Sequence, residues 1–516
     1  MTQKKTNQEK LERDNPNAVE EEYAVLGEGE GPTSSDPIPR KRIIALIAGP
    51  VVAIILLLLP APEGMTPEAW RLVALAAWMV IWWLGEAVPI PATALLPIPM
   101  MPLLGIAEMK PVAANYGHTL IFLFLGGFLL AAAMQRWGLH KRIALKIVSI
   151  VGTSPGSIIA GFMFATAFLS MWISNTATTI MMYAVGISVI GFIAEKTPDK
   201  SMVRNFGVAL MLGIAYSASI GGVGTLIGTP PNALLASFLQ STYDIQIDFF
   251  TWMKFGIPVV IVMLPVAWIM LTKVIFPARD LKLGDAGSVI KGELAALGTM
   301  SKGEKAVAIV FLCAALGWIL RKQLVALTGL PINDTSIALL AALVLFAWPI
   351  SREEGHFAVD WEAARHVPWG VLILFGGGLA LATGFKGTGL AEWIGSQVSG
   401  FDVSTWMLIF IILVAIVYLT EITSNTATTA TFLPILGAVA VGLSIDPQML
   451  VIPVALAASM AFMMPVATPP NAIVFSYEEL QLGDMVKAGF WLNIIAIAVG
   501  FCAMYFLAGL VFGVSA

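Results

Sequence analysis

Residues 173–182 read ISNTATTIMM and residues 423–432 read TSNTATTATF, so one polar hexapeptide, SNTATT, occurs twice in an otherwise apolar chain. The first copy begins at Ser174 and the second at Ser424, a separation of 250 residues in a chain of 516. A polar motif that recurs after about half the chain indicates that the two halves share one plan.

Two further stretches recur in the same order as the hexapeptide. HTLIFLFLGGFLLA, residues 118–131, is matched by WGVLILFGGGLALA, residues 369–382, and GTPPNALL, residues 228–235, is matched by ATPPNAIV, residues 467–474. Their separations are 251 and 239 residues. Three motifs in the same order at similar offsets predict an internal duplication.

The composition is that of a membrane protein. Hydrophobic residues make up 58% of the chain and charged residues only 12%, with a mean hydropathy of +0.84. A soluble domain carries about 25% charged residues. Apolar runs near bilayer length recur along the chain, so we predict an all-α polytopic protein of the plasma (inner) membrane with about 11 transmembrane helices.

The duplication and the apolar runs predict a domain plan. Residues 1–42 are polar and predict a disordered cytosolic tail, because they lack the apolar core of a signal peptide. The remaining segments are a first transmembrane helix at 43–65, repeat 1 at 66–280 with a re-entrant hairpin at 154–196 and a broken helix at 203–241, a cytosolic linker at 281–303, and repeat 2 at 304–516 with a hairpin at 403–443 and a broken helix at 447–482.

The positions of lysine and arginine predict the orientation. Arg40, Lys41 and Arg42 directly precede the first span and place the N-terminus in the cytoplasm. Continued along the spans, the positive-inside rule predicts two repeats of inverted topology and a C-terminus outside. Arg321 and Lys322 fall on the predicted outer side and count against this orientation.

The hexapeptide suits the tip of a hairpin inside the bilayer. Serine, asparagine and threonine cap helix N-termini, where free N–H groups and the helix dipole attract anions. The side-chain oxygens of the same residues, with carbonyls that end the preceding arm, suit a hard monovalent cation. In the TPPN motifs the prolines remove N–H groups and disfavour helix in the preceding residue, so each motif predicts a break with free carbonyls.

Charge is nearly absent from both hairpins. Between Ser154 and Ala194 there is no lysine, arginine, aspartate or glutamate, and the second hairpin contains one, Glu421. No buried basic side chain is therefore visible to neutralise an anionic substrate, so bound cations must do so. Glu421 is expensive at such a depth, and it is either a functional residue or a structural, hydrogen-bonded acid.

The paired SNT motifs and paired TPPN breaks, with LTEITSNTATT and IGTPPNA, resemble the divalent anion/sodium symporter family of INDY-type citrate and dicarboxylate carriers. The resemblance extends from residue 43 to the end of the chain. It implies sodium-coupled symport of di- or tricarboxylates into the cell, a homodimer, and an elevator in which a transport domain moves against a fixed scaffold. It also implies two sodium ions as cofactors, each between a hairpin tip and the opposing break.

The resemblance also assigns site residues. The first sodium site would use Ser170, Ser174, Asn175 and the carbonyl of Gly228, for which Gly222 or Gly224 are alternatives. The second would use Thr420, Thr423, Asn425 and the carbonyl of Ala467. The substrate would bind to Ser174, Asn175, Thr176, Thr229, Ser424, Asn425, Thr426, Thr468 and Pro469.

Other functions are weighed against this one. A sodium-independent dicarboxylate exchanger and a symporter of sulfate or another divalent anion would share the fold. An ion channel fits two halves around a midplane site less well. An enzyme is not expected, because the spans contain no Ser/His or paired-Asp constellation, and no nucleic-acid partner is expected. The sequence does not rank succinate, malate, fumarate and citrate as substrates.

Overall fold

The computed structural model describes residues 39–152, 154–197, 199–277, 286–351, 353, 355–398 and 403–514. Most of the predicted cytosolic tail, residues 1–38, and the start of the predicted linker, residues 281–285, lie outside the described residues. The described chain is almost entirely helical, as the composition predicts. Its first helix begins at Arg40, three residues before the predicted start, because the basic residues form its first turn.

The described residues of the first half form twelve α-helices. They are α1 Arg40–Leu58, α2 Pro67–Gly85, α3 Ile90–Thr93, α4 Pro97–Leu103, α5 Met109–Ala114, α6 Thr119–Arg136, α7 Leu139–Val151, α8 Pro155–Ser170, α9 Asn175–Lys196, α10 Lys200–Gly222, α11 Pro230–Tyr243 and α12 Phe249–Ile269. A 3-10 turn at Asn115–Gly117 precedes α6, and a π-helical turn at Met270–Ile275 continues α12.

The second half repeats this order after a connecting helix. Its elements are α13 Ala286–Ala296, α14 Lys302–Ile319, α15 Arg321–Thr328, α16 Asp334–Ala347, β1 Pro349–Ser351, β2 His356–Phe357, α17 Trp361–Arg365, α18 Trp369–Gly387, α19 Leu390–Val398, α20 Thr405–Thr420, α21 Asn425–Gly442, α22 Pro447–Ala458, a 3-10 turn Pro465–Ala467, α23 Pro469–Phe475 and α24 Leu482–Phe512. The two short strands pair antiparallel.

Fewer helices pass as complete membrane spans than the sequence predicts. Eight described helices are long and apolar enough to cross a membrane, or nine if α14 and α15, bent by 80°, count as one span. Five shorter apolar helices, of 10–17 residues, include α8, α20 and α22. Hairpin arms and half-helices need not cross the whole bilayer, so they fail a test of length. A total of about 11 spans remains a prediction.

Each SNTATT motif lies where a hairpin turns. α8 ends at Ser170, and the Ser174 side chain accepts a hydrogen bond from the Ala177 N–H at 3.3 Å as the N-cap of α9. In the second hairpin α20 ends at Thr420, and Ser424 caps α21 through the Ala427 N–H at 3.5 Å. We call residues 170–175 the first tip and residues 420–425 the second tip.

Each TPPN motif begins the second part of a broken helix. We call residues 223–229, between α10 and α11, the first break, and residues 459–468, between α22 and α23, the second break. In both, threonine is the N-cap and two prolines occupy the first two helical positions, where the missing N–H groups have no helical acceptor.

The two halves interlock around the tips. The second arm of each hairpin packs against the second part of the other half's broken helix, so that α9 contacts α23 and α11 contacts α21. The broken helices exchange contacts in the same way, with α10 against α23 and α11 against α22. α12 packs against α24. Each half therefore supplies part of the wall around the other half's tip.

The remaining helices surround this interlocked unit. α1 packs on α2, α6 packs on α16, and α16 also contacts α14. α18 lies against α11, and α14 lies against α12, so both connect the surrounding helices to the interlocked unit. We call the interlocked unit (α8–α12 and α20–α24) the inner bundle, and the surrounding helices the outer frame.

A cluster of charges joins the inner bundle to the outer frame at one end of α14. Arg321 lies 3.1 Å from Asp248 and 3.4 Å from Asp334, and Lys322 lies 3.5 Å from Asp248. Burial disfavours the ionised form of Asp248, but hydrogen bonds from Thr251 and the two basic groups outweigh it and hold the pKa of that carboxyl below its ordinary value. The cluster neutralises the two basic residues that count against the predicted orientation.

A second group of ion pairs lies at the opposite end of α14. Arg142 forms a bidentate pair with Glu304, with nitrogen–oxygen distances of 2.7 and 3.1 Å and only 7% of either side chain exposed. Arg136 pairs with Asp360 at 2.6 Å. Glu304 lies in the first turn of α14, and Arg321 lies two residues after its last residue, Ile319, so about 25 Å of helix separates the two groups.

Candidate functional site

At the first tip, polar oxygens from both hairpin arms meet the broken helix. The Ser170 hydroxyl lies 2.5 Å from the Asn175 side-chain amide and 2.7 Å from the carbonyl oxygen of Ala218 on α10. The same Asn175 atom lies 3.2 Å from the carbonyl oxygens of Gly228 and Ala218. Ser170, Asn175, Ala218 and Gly228 therefore converge at one point.

The two orientations of the Asn175 amide give this point different chemistry. With its nitrogen facing inward, the amide lies within hydrogen-bond distance of both carbonyls and of the Ser170 hydroxyl, and its two N–H groups donate to two of these three acceptors. With its oxygen facing inward, four oxygen atoms converge. Such a set of uncharged oxygen ligands suits a hard cation of single charge. The residues present thus fit a sodium ion.

The close approach of backbone to amide requires glycine at the end of α10. A Cβ atom on Gly222 would lie 2.7 Å from the Asn175 side-chain oxygen, closer than real Cβ contacts allow. Of the three glycines considered from the sequence, Gly228 brings its carbonyl to Asn175. The Gly222 carbonyl accepts a hydrogen bond from Asn232, and a Cβ on Gly224 would face Met171.

The second tip repeats the arrangement with threonine in place of serine. The Thr420 hydroxyl lies 2.5 Å from the Asn425 side-chain oxygen and 3.2 Å from the carbonyl oxygen of Ala458 on α22. Thr420, Asn425 and Ala458 occupy the places of Ser170, Asn175 and Ala218. The hydroxyls of Thr179 and Thr429 also match, since each donates to the backbone carbonyl of its tip asparagine at 2.8 Å.

Two predicted sodium ligands of the second tip, Thr423 and Ala467, make no hydrogen bond to Asn425 among the described residues. The Thr423 hydroxyl donates to Leu419 O at 2.8 Å and lies 2.7 Å from the Thr428 hydroxyl, so its hydrogen bonds stay within the hairpin. Ala467 ends the 3-10 turn of the second break and is buried, and among the described residues no hydrogen bond joins it to Asn425. The structure therefore brings Thr420 to Asn425, but not the Thr423 hydroxyl.

The carbonyls of Ala218 and Ala458 are site features that the sequence does not reveal. An alanine in an apolar helix gives no signal that its carbonyl faces a polar tip. The asparagines of the TPPN motifs, Asn232 and Asn471, have no role in the sequence-based assignment, although their repetition is a usable signal.

The tips also provide positions for an anion. Asn175 and Thr176 open α9, and Asn425 and Thr426 open α21, so their N–H groups have no acceptor within the helix. Ser174 is exposed, whereas Asn175, Thr176, Asn425 and Thr426 are half-buried. Thr229 and Thr468 are buried facing residues, and the prolines that follow them have no N–H to donate. Anion-binding N–H groups therefore come from the tips, and the breaks provide walls.

Glu421 anchors the second break. Its two carboxylate oxygens accept hydrogen bonds from the backbone N–H groups of Phe462, Met463 and Met464 at 2.7–3.0 Å, and one of them also accepts from the Asn493 amide at 2.7 Å. The side chain is 3% exposed. Of the two roles left open by the sequence, these contacts favour a structural one, because consecutive N–H groups form a nest for the carboxylate.

Replacing Glu421 with alanine should destabilise the protein strongly. Three backbone N–H groups and the Asn493 amide would lose their buried acceptor, which costs about 3 kcal/mol or more in free energy of unfolding. The thermal midpoint of the purified protein in detergent measures this loss. Ile422→Ala is the control, since the neighbouring side chain is 61% exposed, and an equal midpoint for both variants would contradict the anchoring role.

Comparison with known proteins gives matches along nearly the whole chain. Residues 40–512 match the family model described as the sodium:sulfate symporter transmembrane region. The sodium-dependent dicarboxylate transporter SdcS of Staphylococcus saprophyticus is 42% identical over 483 residues, which cover 92% of each chain. The protein of the same name from Staphylococcus aureus is 41% identical over 486 residues, or 93% of each chain.

Two solved structures share the fold at low identity. The YdaH transporter of Alcanivorax borkumensis superimposes with a TM-score of 0.56 at 13% identity, over 86% of this chain and 99% of that one. MtrF of Neisseria gonorrhoeae superimposes with a TM-score of 0.54 at 12% identity, over 93% of this chain and 97% of that one. Similarity at this level of identity concerns the fold alone.

Proposed function

The chain belongs to the sodium:sulfate symporter family, and we propose that it is a membrane transporter that moves dicarboxylates together with sodium ions. The family predicted from the paired motifs is thereby confirmed. The relatives at 41% and 42% identity are named as sodium-dependent dicarboxylate transporters, and neither is named as an enzyme. The direction of transport, into the cell, is part of the proposal.

The convergence of oxygens at the two tips carries the proposal. At the first tip the ligands would be Ser170, Asn175 and the carbonyls of Ala218 and Gly228. At the second they would be Thr420, Asn425 and the carbonyl of Ala458. Thr423 and Ala467, which the resemblance assigns to this shell, make no hydrogen bond to Asn425 among the described residues and stay predicted ligands. Two such sets are the basis for proposing two sodium ions.

The substrate would lie between the tips. Its two carboxylates match two helix N-termini, those of α9 and α21, with Ser174, Thr176, Ser424 and Thr426 as hydrogen-bonding residues. Thr229, Thr468 and Pro469 would line the facing walls. The hairpins contain no lysine or arginine at these positions, so sodium ions supply the neutralising charge. A substrate with two carboxylates uses both halves of the site at once.

The orientation of the repeats is also proposed. The two groups of ion pairs at opposite ends of α14 support inverted topology, because the segments predicted outside meet one another at one end. Lys386, at the end of α18, donates to the carbonyl of Thr242 at the end of α11 at 2.9 Å, and both ends are predicted to face outward. We propose a cytoplasmic N-terminus, a C-terminus outside and an elevator in which the inner bundle moves within the outer frame of a homodimer.

Sodium and substrate should strengthen each other's binding. Because no buried basic side chain neutralises the substrate, raising sodium should tighten dicarboxylate binding, and dicarboxylate should tighten sodium binding by the same factor. We expect a factor of about ten or more, within the usual range of such coupling. Titration of the purified protein with succinate in sodium and in choline measures it.

The same titration separates the alternative functions. Equal succinate affinity in sodium and in choline would reject sodium coupling and select the sodium-independent exchanger. Sulfate that competes with succinate only in sodium would instead widen the substrate class to divalent anions. Flux that fails to saturate with substrate would select a channel.

A further inference from the structure

We infer that Asn232 and Asn471, the asparagines of the two TPPN motifs, are positioning residues that hold the breaks in the shape required by the sodium sites. The inference rests on the proposed function and deepens it. Neither asparagine belongs to the set of ligands assigned to sodium or substrate. Both side chains are completely buried, at 0% exposure.

Asn232 ties the start of α11 to the end of α10. It is the third residue of α11, and its amide nitrogen lies within hydrogen-bond distance of three backbone carbonyls of the preceding segment: Gly222 at 3.2 Å, Val223 at 3.4 Å and Thr225 at 2.8 Å. These carbonyls lie in and next to the first break. One side chain therefore spans the gap between the two parts of the broken helix.

Asn471 makes matching hydrogen bonds in the other half, where both acceptors lie in the second break. It is the third residue of α23, and its amide nitrogen lies 3.2 Å from the carbonyl of Ala461 and 3.0 Å from that of Met464. These acceptors lie ten and seven residues upstream, as Gly222 and Thr225 lie ten and seven residues upstream of Asn232. The hydrogen bonds are thus duplicated together with the sequence motif, which marks them as part of the site's plan.

An interrupted helix inside a membrane needs such a residue. The last carbonyls before a break lack helical partners, and no bulk water in the bilayer core replaces them. An asparagine amide offers two N–H donors on a short side chain, which suits a gap of this size. Proline at the two preceding positions keeps the backbone from making those bonds itself.

The amide oxygens of Asn232 and Asn471 show which contacts determine the orientation of each side chain. Among the described residues, Oδ1 of Asn232 and Oδ1 of Asn471 are buried without a hydrogen-bond partner. A buried unpaired oxygen is costly, so its presence in both copies indicates that the nitrogen's contacts fix the orientation. The carbonyl of Gly228, which faces Asn175, lies on the short loop that Asn232 holds. Asn232 thereby controls the position of a proposed sodium ligand without touching the ion.

Replacing each asparagine with aspartate tests the inference. Asn232→Asp keeps the shape of the side chain, but it removes both N–H donors and sets a carboxylate against carbonyl oxygens. We expect Asn232→Asp to raise the sodium concentration for half-maximal stabilisation of the substrate-free protein at least tenfold. We expect a smaller rise in this sodium concentration for Asn471→Asp, because the Asn471 amide has two acceptors instead of three and Glu421 also supports the second break.

The experiment follows the thermal midpoint of the purified full-length protein as sodium replaces choline, which reports ion binding without substrate. Ser237→Ala is the matched control, because Ser237 is buried on α11 but, among the described residues, makes no hydrogen bond to the carbonyls that Asn232 contacts. It should leave the half-saturating sodium concentration unchanged. Should Asn232→Asp fail to fold, Asn232→Ala, which removes the donors without adding charge, carries the same expectation.

The outcomes separate the inference from the proposed function. A lower midpoint in choline with an unchanged half-saturating sodium concentration would overturn the inference, since that pattern is a purely structural role. A raised half-saturating concentration in the aspartate variants, with the Ser237→Ala control unaffected, would support it. A wild-type protein without any response to sodium would refute the proposed function itself, whatever the variants do.

Discussion

Asn175→Ala and Asn425→Ala are each expected to lower sodium-driven dicarboxylate uptake at least a hundredfold. Each asparagine side chain is proposed to bind both a sodium ion and the substrate. Loss of a buried hydrogen bond to a charged group costs about 1.5–3 kcal/mol, and two such losses correspond to roughly a hundredfold or more in affinity. Uptake into proteoliposomes along a sodium gradient measures the effect.

The control for this prediction lies on the same helix. Among the described residues the Ser188 side chain hydrogen-bonds only to Ala184 O of its own helix, α9, at 3.1 Å, so Ser188→Ala should transport at the wild-type rate. Equal amounts of reconstituted protein must be compared, because a folding defect would also reduce uptake. Wild-type affinity and rate in either alanine variant would show that the tips are not the binding site.

Labelling of introduced cysteines should be all-or-none with respect to the side of the membrane. Ser149 is exposed near the end of α7, before the first hairpin. Ser404 is the N-cap of α20 at the base of the second hairpin, and its side chain makes no capping hydrogen bond. Inverted repeats predict that Ser149→Cys reacts with a membrane-impermeant thiol reagent from the cytosolic side only. Ser404→Cys should react from the outside only. The extent of reaction is measured in right-side-out and in inside-out membrane vesicles.

The native cysteines must first be replaced. Cys313 and Cys502 are free and exposed, so alanine at both positions removes their contribution to the labelling. Sodium plays no part in this experiment, and its result tests topology independently of the ion sites. Reaction of both introduced cysteines from one side would mean parallel repeats and would remove the basis for the elevator.

The helical framework of the tips was predictable because local chemistry determines it. Serine before a helix-compatible run is favoured as an N-cap, and two consecutive prolines disfavour a continuous helix. The positions of Ser174, Ser424 and the two breaks therefore follow from the sequence alone. The meeting of Ser170 with Asn175 follows too, since five residues across a tight turn leave little freedom.

The remaining features depend on contacts between distant segments. The partners of Glu421 are backbone N–H groups some forty residues away and Asn493 on the last helix, and no side-chain pattern reveals them. The ion pair between Arg321 and Asp248, 73 residues earlier, is likewise invisible to a count of charges along the chain. The carbonyls of Ala218 and Ala458 carry no sequence signal for the same reason.

The exchange of walls between the two halves has a consequence for leakage. Because α23 packs on α9 and α11 packs on α21, tightening of one half's tip in the proposed transport cycle would require the broken helix of the other half to be in place. Loss of one sodium ion would therefore loosen the binding sites at both tips instead of at one. Partly loaded forms would hold their cargo poorly and release it to the side from which it came. In the proposed transport cycle, the interlocking of the helices would thereby restrain slippage, in which ions cross without cargo.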